Sequence, residues 1–112
     1  METTRQKKVS KVILKELSQI FQKETHRFLG NILVTVTGIR VSPDLSVAKA
    51  YLSIFPAKNP MKSLIVLNEN KKFFRTLLSK ELRHQLRIVP ELIFYLDDSA
   101  EYAEEIDRLL KK

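Results

Sequence analysis

Only two glycines, Gly30 and Gly38, occur in the 112 residues, and they stand eight positions apart. Phosphate-cradling loops of the G-x-G-x-x-G or P-loop kind need several residues without a Cβ where backbone meets phosphate, so neither can be built here. The G-x-x-G loop that clamps RNA backbone in one class of RNA-binding domain is excluded too. There is no cysteine. That removes a disulfide framework, a thiolate nucleophile, an iron–sulfur site and a cysteine zinc site. What remains is a chain of one domain's length, residues 1–112, with 44% hydrophobic residues, enough for one packed core.

Hydrophobic spacing divides the chain. Over residues 5–24, Val9, Val12, Ile13, Leu17, Ile20 and Phe21 follow the i, i+3, i+4 rule of a helix buried on one side. Residues 31–41 alternate as a strand. After Gly38 the apolar phase slips to Ile39 and Val41, which predicts a β-bulge. Ser42-Pro43-Asp44 is turn chemistry, and 45–55 form a second, antiparallel strand. Ala48, Ala50, Leu52 and Ile54 share one face of it. Tyr51 and Phe55 fall on the other face, and both, like Phe73 and Phe74, are expected in the core rather than stacking on bases. From Met61 to about Leu86 the spacing is helical, broken near Asn68–Lys72, where polar residues include two weak helix formers. Residues 88–97 read as a third strand with Pro90 near its start. Asp98 opens a last helix marked by Tyr102, Ile106, Leu109 and Leu110. The order α-β-β-α-α-β-α predicts an α+β fold, a three-stranded sheet with helices packed on one face.

Charge narrows the function. Residues 1–96 hold seventeen Lys/Arg and seven Asp/Glu, whereas residues 97–112 hold three and six. A basic body with a short acidic tail points to an anionic partner, with nucleic acid first. Lys8, Lys11 and Lys15 line the polar side of the first helix. Lys71, Lys72, Arg75, Lys80, Arg83, His84 and Arg87 follow one another along the second helical segment. They wrap more than one face, so not all can touch one ligand. The acidic residues from Asp97 to Asp107 fit helix capping better than a metal or acid–base site. His26 and His84 have no catalytic partner pattern around them. Neither an enzyme nor a metal site is expected. The longest unbroken apolar run, Leu92–Leu96, is far short of a membrane span, and the polar Met1–Lys8 segment is no signal peptide. The expected location is the cytoplasm.

Two stretches carry a resemblance. Arg87-Ile88-Val89-Pro90-Glu91-Leu92, the alternating strand after it and Asp97-Asp98-Ser99 resemble the most characteristic motif of ribosome-binding factor A. Val34-Thr35-Val36, Val41-Ser42-Pro43-Asp44-Leu45 and Ala48-Lys49-Ala50-Tyr51 are similar to its hairpin signature. Phe73-Phe74-Arg75 and Leu78 fit the helix between them. The resemblance spans essentially the whole chain. It implies a type II KH-like fold, α-β-β-α-α-β plus a short C-terminal helix, with no G-x-x-G loop. In the family an interhelical kink, commonly Ala-x-Gly, stands instead; Asn70-Lys71-Lys72 takes that place here and adds two positive charges.

The family's members are non-enzymatic assembly factors. They bind the small ribosomal subunit, assist late maturation and 5′-end processing of its RNA, and matter for growth in the cold. No cofactor or metal is implied, a monomer is expected, and other assembly factors are conceivable partners. The cations then expected to meet ribosomal RNA are Lys7, Lys8, Lys11, Lys15, Arg40, Lys71, Lys72, Arg75, Lys80, Arg83 and Arg87. A general basic nucleic-acid binder and a protein-interaction module are the alternatives.

Overall fold

The computed structural model describes residues 2–55 and 58–97. Helix α1 spans Thr4–Glu24 and starts on a capping box. The Gln6 amide donates to Thr3 Oγ1 at 3.1 Å, and the Thr3 amide returns to Gln6 Oε1 at 2.8 Å. Gln6 is itself buried, and its Nε2 donates to the Val41 carbonyl at 2.8 Å. That bond ties the start of α1 to the end of strand β1 (Leu33–Val41). Val9, Ile13, Leu17, Ile20 and Phe21 form the buried stripe that the spacing predicts.

A short second helix intervenes between α1 and β1, in a stretch to which the spacing assigns no element. Thr25 ends α1 by donating its hydroxyl to the Phe21 carbonyl at 2.7 Å. One further turn, α2 (His26–Leu29), follows and is closed by Gly30 at φ 67°. Four residues are too few to show periodicity. The turn brings Phe28 edge-on to Phe73, with centroids 5.5 Å apart.

Strand β2 (Val47–Phe55) pairs antiparallel with β1. The register runs Val36 to Leu52 and then Gly38 to Tyr51, so Thr37 is the extra residue of the predicted bulge. At the hairpin tip Asp44 Oδ1 accepts from the Ser42 hydroxyl (2.7 Å), the Ser46 hydroxyl (2.8 Å) and the Ser46 amide (3.1 Å). These bonds, Ser42's hydroxyl foremost, lower the Asp44 pKa from 3.8 to about 2. Leu45 takes φ 62° to complete the turn.

Helix α3 (Pro60–Glu69) starts on Asn59, whose side chain accepts the Lys62 amide, with proline in the first turn. Asn70 then leaves helical geometry at φ −109°, ψ 17°, and α4 (Lys71–Leu82) begins. Asn70 closes one helix through Nδ2 to the Val66 carbonyl (2.8 Å) and opens the next by accepting the Phe73 amide (3.0 Å). Helix α4 stops at Leu82, four residues before the expected end, and the Gln85 and Leu86 amides close one further isolated turn on the Leu82 carbonyl. Strand β3 is Glu91–Leu96, shorter than expected, since buried Pro90 has no amide to pair.

The sheet order is β1-β2-β3, with β3 parallel to β2. The parallel pairing requires the long crossover that α3 and α4 supply. One sheet face, bearing Val34, Val36, Ile39, Ala48, Ala50, Leu52, Leu92 and Phe94, is buried under the helices. Phe21, Phe74 and Phe94 meet edge-on at its centre, with centroids 4.9 to 5.8 Å apart. The fold is α+β and KH-like. Phe73 is half-buried at the margin of the core, and Tyr51 and Phe55 lie on the face turned away from the helices. The expected last helix, from Asp98 onward, lies outside the described residues.

Candidate nucleic-acid interface

The basic residues fall into separate places. Lys7, Lys8, Lys11 and Lys15 are exposed on α1, away from its buried stripe. Lys80 lines a different groove between α1 and α4, in mixed company with Glu16, Lys23, Glu24 and Glu81. Arg83 and Arg87 are exposed beyond the end of α4, and Arg83 Nε donates to His84 Nε2 at 3.3 Å. Arg40 stands on β1 directly across from Lys49 on β2.

Lys71, Lys72 and Arg75 do come together. With Thr76, Glu91 and Leu92 they line a groove of about 350 Å³ where the first turn of α4 faces the start of β3. Neither lysine has an ion pair within the described residues. The first turn of α4 contains no acidic residue, and Asn70 makes no side-chain cap to it. A helix N-terminus carries partial positive charge, so two lysines there oppose the dipole. An anion in the groove would meet both lysines and the helix dipole at once, against the one carboxylate of Glu91, which turns a local cost into binding energy.

Arg75 has a structural task that the sequence does not reveal. Its Nη2 donates to the Val89 carbonyl at 2.8 Å, and its Nε reaches the Val89 and Pro90 carbonyls at 3.2 Å each. The guanidinium is therefore committed to the backbone leading into β3. It lines the groove, but much of its donor capacity is already taken.

Among the described residues, no group of three His, Asp or Glu side chains is placed to hold a metal ion. No described helix is long and apolar enough to cross a membrane.

The sequence pattern of ribosome-binding factor A matches residues 5–110. The chain belongs to the ribosome-binding factor A family. A family member from Cytophaga hutchinsonii is 46% identical over 100% of this chain and 84% of its own length. One from Christiangramia forsetii is 43% identical over 98% of this chain and 85% of its own. Among solved structures, the crystal structure of a Thermus thermophilus family member superposes with a TM-score of 0.65 at 24% identity, over 81% of this chain and 94% of that one. That likeness shows the fold. A homology model of the Thermus thermophilus family member, fitted into a cryo-EM map of its complex with the 30S subunit, is also similar, with a TM-score of 0.60 at 25% identity, over 78% of this chain and 89% of that one.

Proposed function

We propose that this chain is an RNA-binding domain that docks on the small ribosomal subunit and assists late maturation of its RNA, including 5′-end processing, without catalysis. It acts as a cytoplasmic monomer. The observation that supports this most is the Lys71–Lys72 groove at the start of α4, which has no acidic residue in its first turn, within a family one of whose members is placed in a 30S complex. Phosphate contacts supply the affinity, from that groove and from the α1 lysines. Assistance consists of binding one local RNA conformation better than its alternatives, which shifts the RNA population toward it. The effect matters most in the cold, where misfolded RNA escapes slowly.

The test is co-sedimentation with mature and immature small subunits and with large subunits, at about 50 and 200 mM salt. Binding confined to small subunits and weakened by salt supports the proposal. Equal binding to every RNA-bearing particle replaces it with a general nucleic-acid binder. Salt-insensitive binding favours a protein contact instead.

A further inference from the structure

The sheet has a second face, and among the described residues nothing covers it. Leu33, Thr35 and Arg40 of β1, Lys49, Ser53 and Phe55 of β2 and Tyr95 of β3 are exposed there, and the bulge residue Thr37 joins them. Tyr51 and Tyr95 are register neighbours on this face, with rings stacked at 5.7 Å and 27°. Gly38 stands opposite Tyr51, and a Cβ added there would meet no atom within 4 Å, so the space beside the ring is open.

The cations on this face are placed against their own interest. Arg40 and Lys49 are direct cross-strand partners. Like charges in that position repel. Among the described residues, neither has an ion pair that would relieve the repulsion. Arg40, Lys49 and Tyr51 line one groove of about 390 Å³ together with Glu2, Val47 and the hairpin-tip residues Ser42 and Pro43.

We infer that this face binds one unpaired RNA nucleotide, its base stacked on the Tyr51–Tyr95 pair and its phosphate held between Arg40 and Lys49. The inference rests on the RNA-binding reading above and adds a second contact to it. A phosphate neutralises the repelling pair, and arginine offers it a forked donor set. The outer face of the pair, Tyr51 beside the open space at Gly38, offers a base a flat apolar surface, which every base can use. The acidic groups set the direction. Asp97 accepts from Thr37 Oγ1 on this face, beyond Tyr95 in the chain. Asp97 thus lies at the end of the face away from Arg40 and Lys49, where two cations meet one carboxylate, Glu2. On this face phosphate is favoured at the Arg40–Lys49 end, and the base lies at the tyrosines. An acidic peptide meets these demands less well, because a carboxylate side chain brings no flat ring.

The experiment titrates the full chain with hexa-adenylate and follows backbone amide and tyrosine ring resonances. Shifts are expected at Gly38, Arg40, Lys49, Tyr51 and Tyr95. Tyr51→Leu with Tyr95→Leu is expected to weaken hexamer binding about tenfold, in line with the loss of one base stack. Arg40→Gln with Lys49→Gln, both exposed and safe for folding, is expected to weaken it severalfold and flatten its salt dependence. Parent-like affinity in both double variants, shifts confined to the α4 groove, or equal binding of poly-glutamate would overturn the inference. Lys71→Gln with Lys72→Gln serves as the control on subunits. If that pair loses subunit binding while the sheet variants bind hexamer normally, the sheet site fails and the proposed function stands. If the parent chain ignores subunits yet shows the expected hexamer response, the proposed function fails and the sheet site stands.

Discussion

The side-chain amide of Asn68 binds the backbone of Phe94 in both directions. Its Nδ2 donates to the Phe94 carbonyl and its Oδ1 accepts the Phe94 amide, each at 3.0 Å. Strand β3 lies at the edge of the sheet, so these are backbone groups that a fourth strand would otherwise satisfy. One asparagine on α3 thus stands in for a strand. Asn68→Ala leaves both groups unpaired in a half-buried setting. The expected loss is about 2 kcal/mol, from two bonds of roughly 1 kcal/mol each. Urea denaturation measures it, and faster hydrogen exchange at the Phe94 amide localises it.

From α4, Arg75 fastens the segment leading into that strand. Arg75→Ala is expected to lower stability by roughly 1–3 kcal/mol, because the Val89 and Pro90 carbonyls lose charge-assisted donors. Arg75→Lys recovers only part, since an ammonium cannot reproduce the fork. Lys71→Gln with Lys72→Gln behaves oppositely. Thermal midpoint stays nearly unchanged or rises slightly, whereas the salt slope of subunit binding falls by about one unit per lost contact. Melting curves and binding isotherms on the same variants separate the two roles.

The hairpin tip should show an unusual carboxyl. Asp44 is expected to titrate at about 2 in the folded chain, against 3.8 in the unfolded one. The folded value is the lower of the two, so its stabilisation is fully present above the unfolded value and is lost as pH falls toward about 2. Carbon-detected NMR titration reads the midpoint. Ser42→Ala moves it back toward 3.8 more than Ser46→Val does if the Ser42 hydroxyl is the larger contributor; the reverse order contradicts the assignment.

Two phenylalanines offer a contrast of faces. Phe74 is fully buried and packs edge-on against Phe21 and Phe94. Phe74→Ala is expected to cost about 3–5 kcal/mol, a large part of an ordinary domain's stability. Phe55, 71% exposed on the open sheet face, is expected to tolerate alanine within about 0.5 kcal/mol. Chemical denaturation of the two variants under one condition decides the point.

Much of this fold is legible in the sequence because it is periodic. The α1 stripe from Val9 to Phe21, the alternation of β2 and the phase slip beside Gly38 all appear as spacing. The helix break appears as composition, in Asn68 and Asn70. What is not legible depends on where β3 ends up. Neither Asn68 nor Arg75 carries any local mark of bonding to residues 14 to 26 positions away. The side of the sheet taken by Tyr51 is available in principle. It shares strand parity with Lys49 and Ser53; aromatic character suggests the core, and parity is the better guide. Lysines and arginines are visible one by one. Which of them share a groove is set by tertiary placement, and that brings Lys71, Lys72 and Arg75 together while leaving Lys80 elsewhere.

The parallel pairing of β2 with β3 also sets an order in time. The β1–β2 hairpin needs only a short turn and can zip in microseconds. β3 cannot take its place until α3 and α4 have folded back across the sheet, because the chain must travel the length of the crossover to run in the same direction as β2. During synthesis, then, the hairpin and α1 are available while the second edge of β2 still waits for its neighbour. That interval, closed only when residues 91–96 leave the ribosome, is when a newly made chain is most open to pairing with the wrong strand.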